Sequence, residues 1–151
     1  MKVPLTKPEI SKNDIKIVTN SFESGWLAHG KYNKKFEIEF AKFIGTKYAV
    51  AVNSCTSALE LALWSNNINE GEVIIPSFTW VSTANVVKLC GCDPVFIDVD
   101  LKTRNIKAEE VEKAITNKTK ALIAVHFAGL PCDIISLRKV CKKYKSWRIC
   151  W

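Results

Sequence analysis

Short apolar runs alternate with helical segments along most of this chain, and this alternation restricts the possible folds more than any other feature. The runs predicted as strands cover residues 48–52, 72–75, 94–98 and 120–125. Short strands that alternate with helices form a mostly parallel sheet, because each helix carries the chain back to start the next parallel strand. We therefore predict an α/β fold with helices on both faces of the sheet, in which the strands that end at Val52 and Ile75 lie side by side.

The helices are predicted from apolar periodicity and from the residues at their ends. In the first, Ser11 can cap the N-terminus, with Asp14 three residues on in a capping-box position. The second ends before Gly45, which stands where a left-handed C-terminal cap is needed. The predicted helices cover about 11–25, 31–43, 56–66, 79–90, 108–115 and 134–144.

The chain is predicted to be a single partial domain. It would comprise N-terminal helices over 1–45, a βα portion over 46–145 and an atypical tail over 146–151. A fifth strand is due at 147–151, although the composition there is unusual for a strand. No internal repeat, low-complexity stretch or domain linker interrupts the sequence.

Charge and hydropathy argue against nucleic-acid and membrane partners. The net charge is +7, but the lysines are scattered over every predicted helix and form no continuous basic stripe. Only the short segment 142–148 combines basic and aromatic residues. No apolar run is long enough to cross a bilayer, and the start of the chain lacks a signal sequence, so a cytoplasmic protein is expected.

The six cysteines are predicted to be free, buried thiols. Cys90 and Cys92 are the nearest pair, and they are separated by a single glycine. No Cys-x-x-Cys pair is present, and the histidines are only His29 and His126, so no metal site is expected. His29 is interpreted as structural.

Ligands of open parallel sheets bind at the carboxyl ends of the strands, so the segments that follow the strands are the candidate sites. After the first predicted strand, small hydroxyl residues precede a helix. Free amides at such a helix start can hold a phosphate, or Ser54 or Thr56 simply caps the helix. After the second strand, Trp80 can stack on a flat ring, although a core tryptophan is the more general expectation.

The other two strand ends carry polar residues of less definite role. Asp98 and Asp100 follow the third strand, where carboxylates bind ribose or metal, but solvated loop residues are the favoured interpretation. His126 follows the fourth strand and is a candidate polar contact for a ligand. A lone histidine is more often structural.

Taken together, these segments resemble the DegT/StrS family of pyridoxal-phosphate enzymes, which act on nucleotide-linked sugars. The resemblance covers about 4–144 and rests on motifs in the family's order and spacing. They are Ser24-Gly25-Trp26 with Gly30, then residues 36–41, 51–59, 71–80, 91–100, 115–121 and 125–129. The resemblance implies an incomplete large domain of a fold type I pyridoxal-phosphate enzyme.

The resemblance also implies roles for individual residues. Cys55 and Thr56 match the turn that binds the cofactor phosphate through backbone amides and the Thr56 hydroxyl. Family members usually have Gly or Ala at the position of Cys55. Trp80 matches the aromatic residue that stacks on the pyridine ring, and His126 is placed on the substrate side.

The function implied by the resemblance is amino transfer from an amino acid, typically glutamate, to a keto-sugar nucleotide. Complete relatives are homodimers and use pyridoxal 5′-phosphate, and cell-surface polysaccharide or lipopolysaccharide synthesis is the implied setting. Two alternatives stay open: a sugar dehydratase of the same family, and a non-catalytic module that retains only the phosphate site.

The 151-residue chain alone is expected to be inactive and to bind the cofactor weakly or not at all. The family's pyridine-binding aspartate and Schiff-base lysine have no matching positions in it, so a truncated, frameshifted or partial sequence is expected. An amino-transfer assay with nucleotide-linked keto-sugars checks the prediction. Turnover above background, by a chain that mass spectrometry shows to end at Trp151, would contradict it.

Overall fold

The computed structural model describes residues 6–144 and 148–150, the last three by their backbone alone. The chain divides into two compact units, Met1–Ala51 and Val52–Trp151, here called the N-terminal and C-terminal units. The partition predicted from the sequence, a single partial domain over 1–151, stays a prediction.

The N-terminal unit contains α1 (Lys12–Glu23) and α2 (Lys31–Ile44). The capping box of α1 is confirmed: Ser11 Oγ accepts a hydrogen bond from the Asp14 amide at 3.2 Å. The Asp14 carboxylate in turn accepts one from the Ser11 amide at 2.7 Å. These bonds lower the pKa of Asp14, with the backbone bond contributing most. Gly45 ends α2 in the left-handed conformation, with φ of 79°.

The strand predicted at 48–52 is wrong. These residues join no ladder among the described strands, and Tyr48 and Val50 are 74% and 75% exposed. The Ala51 amide donates to the Glu37 carboxylate at 2.9 Å. This amide is therefore hydrogen-bonded by a side chain and not by the backbone of a neighbouring strand. The prediction that strands ending at Val52 and Ile75 lie side by side is wrong for the same reason.

The C-terminal unit alternates helices and strands, as predicted. Its elements are α3 (Cys55–Ser65), β1 (Glu72–Pro76), α4 (Ser82–Leu89), β2 (Asp93–Ile97), α5 (Ala108–Ala114), β3 (Thr119–Ile123), α6 (Ile134–Lys143) and β4 (Arg148–Cys150). The order in the sheet is β2-β1-β3-β4, and every pair is parallel. The α/β fold is thereby confirmed. The strand β4 lies within 147–151, where the sequence predicted a fifth strand. Residues 147 and 151 lie outside the described residues.

Alternate residues of the central strands face two separate cores. Val73 and Ile75 pack on one face against α3 and α4, while Ile74 packs on the other face against α5 and α6. All three side chains are completely buried. A strand that is apolar on both faces is typical of a parallel sheet between helical layers.

Among the cysteines whose side chains are described, all but one are free and buried, as predicted. Cys90, Cys92, Cys132 and Cys141 are free and buried, and burial raises the pKa of each thiol. Cys55 is free but exposed, because it is the first residue of α3. The side chain of Cys150 lies outside the described residues.

The described residues contain neither a metal-binding group of side chains nor a membrane-spanning helix. No group of three or more His, Cys, Asp or Glu side chains is placed to hold a metal ion. Within the same residues, every helix is too short or too polar to cross a membrane.

Leu63→Ala is expected to lower the free energy of unfolding by about 2–5 kcal/mol, because the side chain is fully buried between α3 and the sheet. Leu61→Ala is the matched control on the same helix, where the leucine is 46% exposed. Urea unfolding of both variants measures the difference, and equal losses would contradict this packing of α3.

Candidate functional site

The candidate site is a cavity of about 550 Å³ in the C-terminal unit. It lies at the carboxyl ends of β1 and β3, the edge of a parallel sheet where ligands bind. Its walls come from the start of α3, the β1–α4 loop and the segment after β3. The lining residues are Cys55, Thr56, Leu59, Thr79, Trp80, Ser82, Thr83, Ile123, Ala124, Val125, His126, Phe127 and Ala128. The cavity thus brings together the four residues to which the family resemblance gave site roles: Cys55, Thr56, Trp80 and His126.

The first wall is the N-terminus of α3. Ser54 caps this helix, since its Oγ accepts a hydrogen bond from the Ser57 amide at 3.1 Å. The first bond between backbone groups runs from the Ala58 amide to the Ser54 carbonyl at 3.1 Å. The amides of Cys55 and Thr56 precede these bonded positions, so they are available to a ligand.

The sequence left two interpretations of this turn, a helix cap and a phosphate site, and different residues correspond to each. The capping role belongs to Ser54, whereas Thr56 lines the cavity and is half-buried. Ser57 Oγ also donates to the Asn53 side chain at 2.8 Å, and this bond holds the turn together. The turn therefore has the polar groups of a phosphate site, in addition to a satisfied cap.

The second wall carries Trp80, which is 78% exposed. The general expectation of a core tryptophan is therefore wrong at this position. The predicted helix start at Thr79 is also wrong, since α4 begins at Ser82 and leaves Trp80 in the loop. The Thr79 and Thr83 hydroxyls lie 3.0 Å apart, and this contact ties the loop to the buried side of α4. An exposed indole on an anchored loop offers a stacking face to a flat ring.

The third wall carries His126, three residues after the end of β3. Its Nδ1 accepts a hydrogen bond from the Cys132 amide at 2.9 Å. Because Nδ1 is the acceptor, the neutral ring carries its proton on Nε2. Phe127–Gly129 form one turn of 3₁₀ helix, in which Ala128 has a left-handed φ of 51°. The ring of His126 is thus held by the main chain.

The two aspartates after β2 lie away from this cavity. Asp98 is exposed and accepts a hydrogen bond from Ser77 Oγ at 3.3 Å. Asp100, predicted as a solvated loop residue, is instead bonded to its own loop. Its carboxylate pairs with Lys107 at 2.7 Å and accepts the Thr103 amide at 3.0 Å. The Lys107 bond is the main reason that the pKa of Asp100 lies well below its ordinary value.

A smaller cavity of about 390 Å³ lies in the N-terminal unit, beside Trp26 and the start of α2. His29, which the sequence suggested to be structural, is exposed at this cavity and has a φ of 22°. Gly30 permits the close approach of the Trp26 ring, because a Cβ at this position would lie 2.5 Å from the indole. Trp26 and Gly30 both belong to the first motif on which the family resemblance rests.

Asn105 supports the candidate site from outside the cavity, and sequence reasoning missed it. It does not line the cavity, but its buried side chain is bonded to the segment that carries Phe127. Its bonding partners are distant in sequence, and no local motif signals such a contact. Burial of a polar residue between two loops becomes visible only in the folded structure.

Comparison with known proteins identifies relatives over most of the chain. A family model described as the DegT/DnrJ/EryC1/StrS aminotransferase family matches residues 8–149. Spore coat polysaccharide biosynthesis protein SpsC of Bacillus subtilis (strain 168) is 46% identical over 143 residues, which cover 94% of this chain and 37% of that protein. The chain thus spans little more than a third of this relative's length.

Solved structures show the same similarity in three dimensions. The putative sugar aminotransferase Spr1654 from Streptococcus pneumoniae, in its PMP form, has a TM-score of 0.88 at 34% identity, over 95% of this chain and 37% of that one. The GDP-4-keto-6-deoxy-D-mannose-3-dehydratase of E. coli, with bound hydrated PLP, has a TM-score of 0.89 at 27% identity. That match covers 98% of this chain and 40% of the dehydratase chain.

Trp80→Ala is expected to leave the fold intact and to lower the free energy of unfolding by less than about 1 kcal/mol, because the indole is exposed. Leu59→Ala is the control from the same cavity, where the leucine is 5% exposed. It should cost about 2–5 kcal/mol. Urea unfolding compares the two, and a large loss for Trp80→Ala would show that the indole is a core residue.

Proposed function

The chain belongs to the DegT/DnrJ/EryC1/StrS aminotransferase family, and from this premise we propose that it forms the cofactor-phosphate site of a pyridoxal-phosphate sugar aminotransferase. The proposed reaction of the whole protein is transfer of an amino group from an amino acid to a nucleotide-linked keto-sugar. The observation that supports this best is one cavity that combines the start of α3 with the exposed indole of Trp80.

The groups around this cavity suit pyridoxal phosphate. The amides at the start of α3 and the Thr56 hydroxyl are donors, and the positive end of the helix dipole favours a phosphate dianion. No acidic side chain is among the described residues that line the cavity. The exposed indole provides an apolar face for a flat ring. The donor set therefore fits a phosphate ester attached to an aromatic ring.

In the proposed function, each wall of the cavity has a separate task. Thr56 and its neighbouring amides bind the phosphate, while Trp80 orients the ring by stacking. Cys55 contributes its backbone amide, so its side chain is not required. His126 lies on the substrate side, where an imidazole held through Nδ1 can orient a polar substrate group. When bound, pyridoxal phosphate supplies an electron sink for chemistry at the amino-bearing carbon.

Aminotransferase chemistry is favoured over sugar dehydration by the closer of the two structural similarities. The putative sugar aminotransferase is 34% identical to this chain, whereas the dehydratase is 27% identical. Dehydration is retained as the second candidate, because its TM-score of 0.89 is just as high. The two reactions differ at the family's Schiff-base lysine position, which has no match among the residues of this chain.

We further propose the setting in which the complete protein acts. The name of the Bacillus subtilis relative supports a role in polysaccharide biosynthesis. The nucleotide-linked sugar substrate, the amino-acid donor, the homodimer and the cytoplasmic location are proposed from family membership alone.

Thr56→Val is expected to weaken binding of pyridoxine 5′-phosphate about tenfold, the effect of losing one hydrogen bond to a charged group. This ligand has no aldehyde, so it cannot react with surface lysines. The substitution keeps the backbone amides and nearly the same volume. Isothermal titration calorimetry measures the dissociation constant of each variant.

The control for this experiment is Thr46→Val, which removes an exposed hydroxyl bonded only to the Tyr48 carbonyl, at 3.1 Å. Affinity should be unchanged in this variant. The same tenfold loss in both variants, or no loss in Thr56→Val, would contradict the proposed phosphate site. Binding of inorganic phosphate without preference for the ring-bearing ligand would favour the non-catalytic phosphate module.

A further inference from the structure

The side chain of Asn105 forms two hydrogen bonds with one distant segment. Its Oδ1 accepts a hydrogen bond from the Phe127 amide at 3.1 Å, and its Nδ2 donates one to the Leu130 carbonyl at 2.9 Å. The residue is only 4% exposed. A buried amide that uses both its donor and its acceptor on a single segment fixes that segment in position and direction.

The segment held in this way has little regular structure of its own. Ala128 and Gly129 both have positive φ, at 51° and 83°, and α6 begins only at Ile134. Its backbone–backbone bonds are those of a single turn, from the Gly129 amide to the His126 carbonyl and from the Leu130 amide to the Phe127 carbonyl. Cys132 adds two bonds, from its amide to His126 Nδ1 and from its thiol to the Val125 carbonyl. The two bonds from Asn105 tie this wall of the cavity to a turn more than 20 residues away in the sequence.

Asn105 is itself held firmly, as such a restraint requires. Its carbonyl accepts a hydrogen bond from the Asp100 amide at 2.9 Å. The Asp100 carboxylate accepts the Lys102 and Thr103 amides, both at 3.0 Å, and pairs with Lys107. The turn from Asp100 to Asn105 is thus closed by both main-chain and side-chain bonds.

The same turn also reaches the loop that carries Trp80. The guanidinium of Arg104 lies 5.7 Å from the centre of the Phe78 ring. The Phe78 ring in turn lies 4.7 Å from the Phe127 ring, centre to centre. One turn thus contacts two walls of the cavity, one through the Asn105 side-chain amide and one through the Arg104 guanidinium over the Phe78 ring.

We propose that Asn105 is a positioning residue for the ligand site: it aligns the wall formed by His126, Phe127 and Ala128 without touching the ligand. The inference rests on the proposed function for the identity of the ligand. The alignment of the wall can be measured independently of that ligand.

Asn105→Ala in the full chain tests the proposal. The chain contains only two histidines, so the imidazole nitrogens are readily assigned by NMR, and His29 in the N-terminal unit serves as an internal reference. The variant should shift the Phe127 amide resonance and the His126 ring resonances, and leave those of His29 unchanged. Binding of pyridoxine 5′-phosphate should weaken about tenfold, because the wall is no longer held in place.

The matched control is Thr119→Val, which removes a buried hydroxyl at the opposite end of β3. Thr119 is 3% exposed and donates to the Glu72 carboxylate at 3.1 Å. This variant should lower the melting temperature while leaving the His126 resonances and the affinity unchanged. If Asn105→Ala fails to fold, Asn105→Asp is the second variant, since it keeps the volume and the acceptor but loses the donor to Leu130.

The outcomes separate positioning from general stability. Unchanged His126 and Phe127 resonances in a folded Asn105 variant would overturn the proposal, as would equal loss of affinity in Thr119→Val. Shifted resonances in a chain that binds no pyridoxine 5′-phosphate would uphold the alignment by Asn105 and reject the proposed ligand instead.

Discussion

Burial of the central strands on both faces is the constraint on which the rest of the C-terminal unit depends. The side chains of Val73, Ile74 and Ile75 are removed entirely from solvent, and so are those of Leu122 and Ile123 on the neighbouring strand. Such strands need helices on both sides, so each crossover returns the chain to the same edge of the sheet. The carboxyl ends of β1 and β3 therefore meet at one edge, and the loops that follow them form one cavity.

The candidate site follows from this arrangement with few further elements. The start of α3 supplies amides, the anchored β1–α4 loop exposes an indole, and the end of β3 places an imidazole beside them. Each wall is stabilised by a different local interaction: the Ser54 cap, the contact of Thr79 with Thr83, and the bonds of Asn105. The rigid sheet places the three walls, and these bonds fix the groups that face a ligand.

The parts of this structure that depend on local pattern could be predicted from the sequence. The Ser11 capping box, the Gly45 cap and the strands β1, β2 and β3 are examples, since their signals lie within a few neighbouring residues. Segment 48–52 has strand-like composition, but pairing depends on a neighbour that local pattern cannot supply. Exposure of Trp80 and burial of Asn105 likewise depend on contacts between distant segments. The partners of Asn105 are 22 and 25 residues away.

The most direct test of the account is to map the binding of pyridoxine 5′-phosphate by NMR. If the start of α3 and the exposed indole form one site, the amides of Cys55 and Thr56 and the indole N–H of Trp80 should shift together. Their titrations should give a single dissociation constant. Shifts confined to other parts of the chain, or different constants for the amides and the indole, would contradict the account.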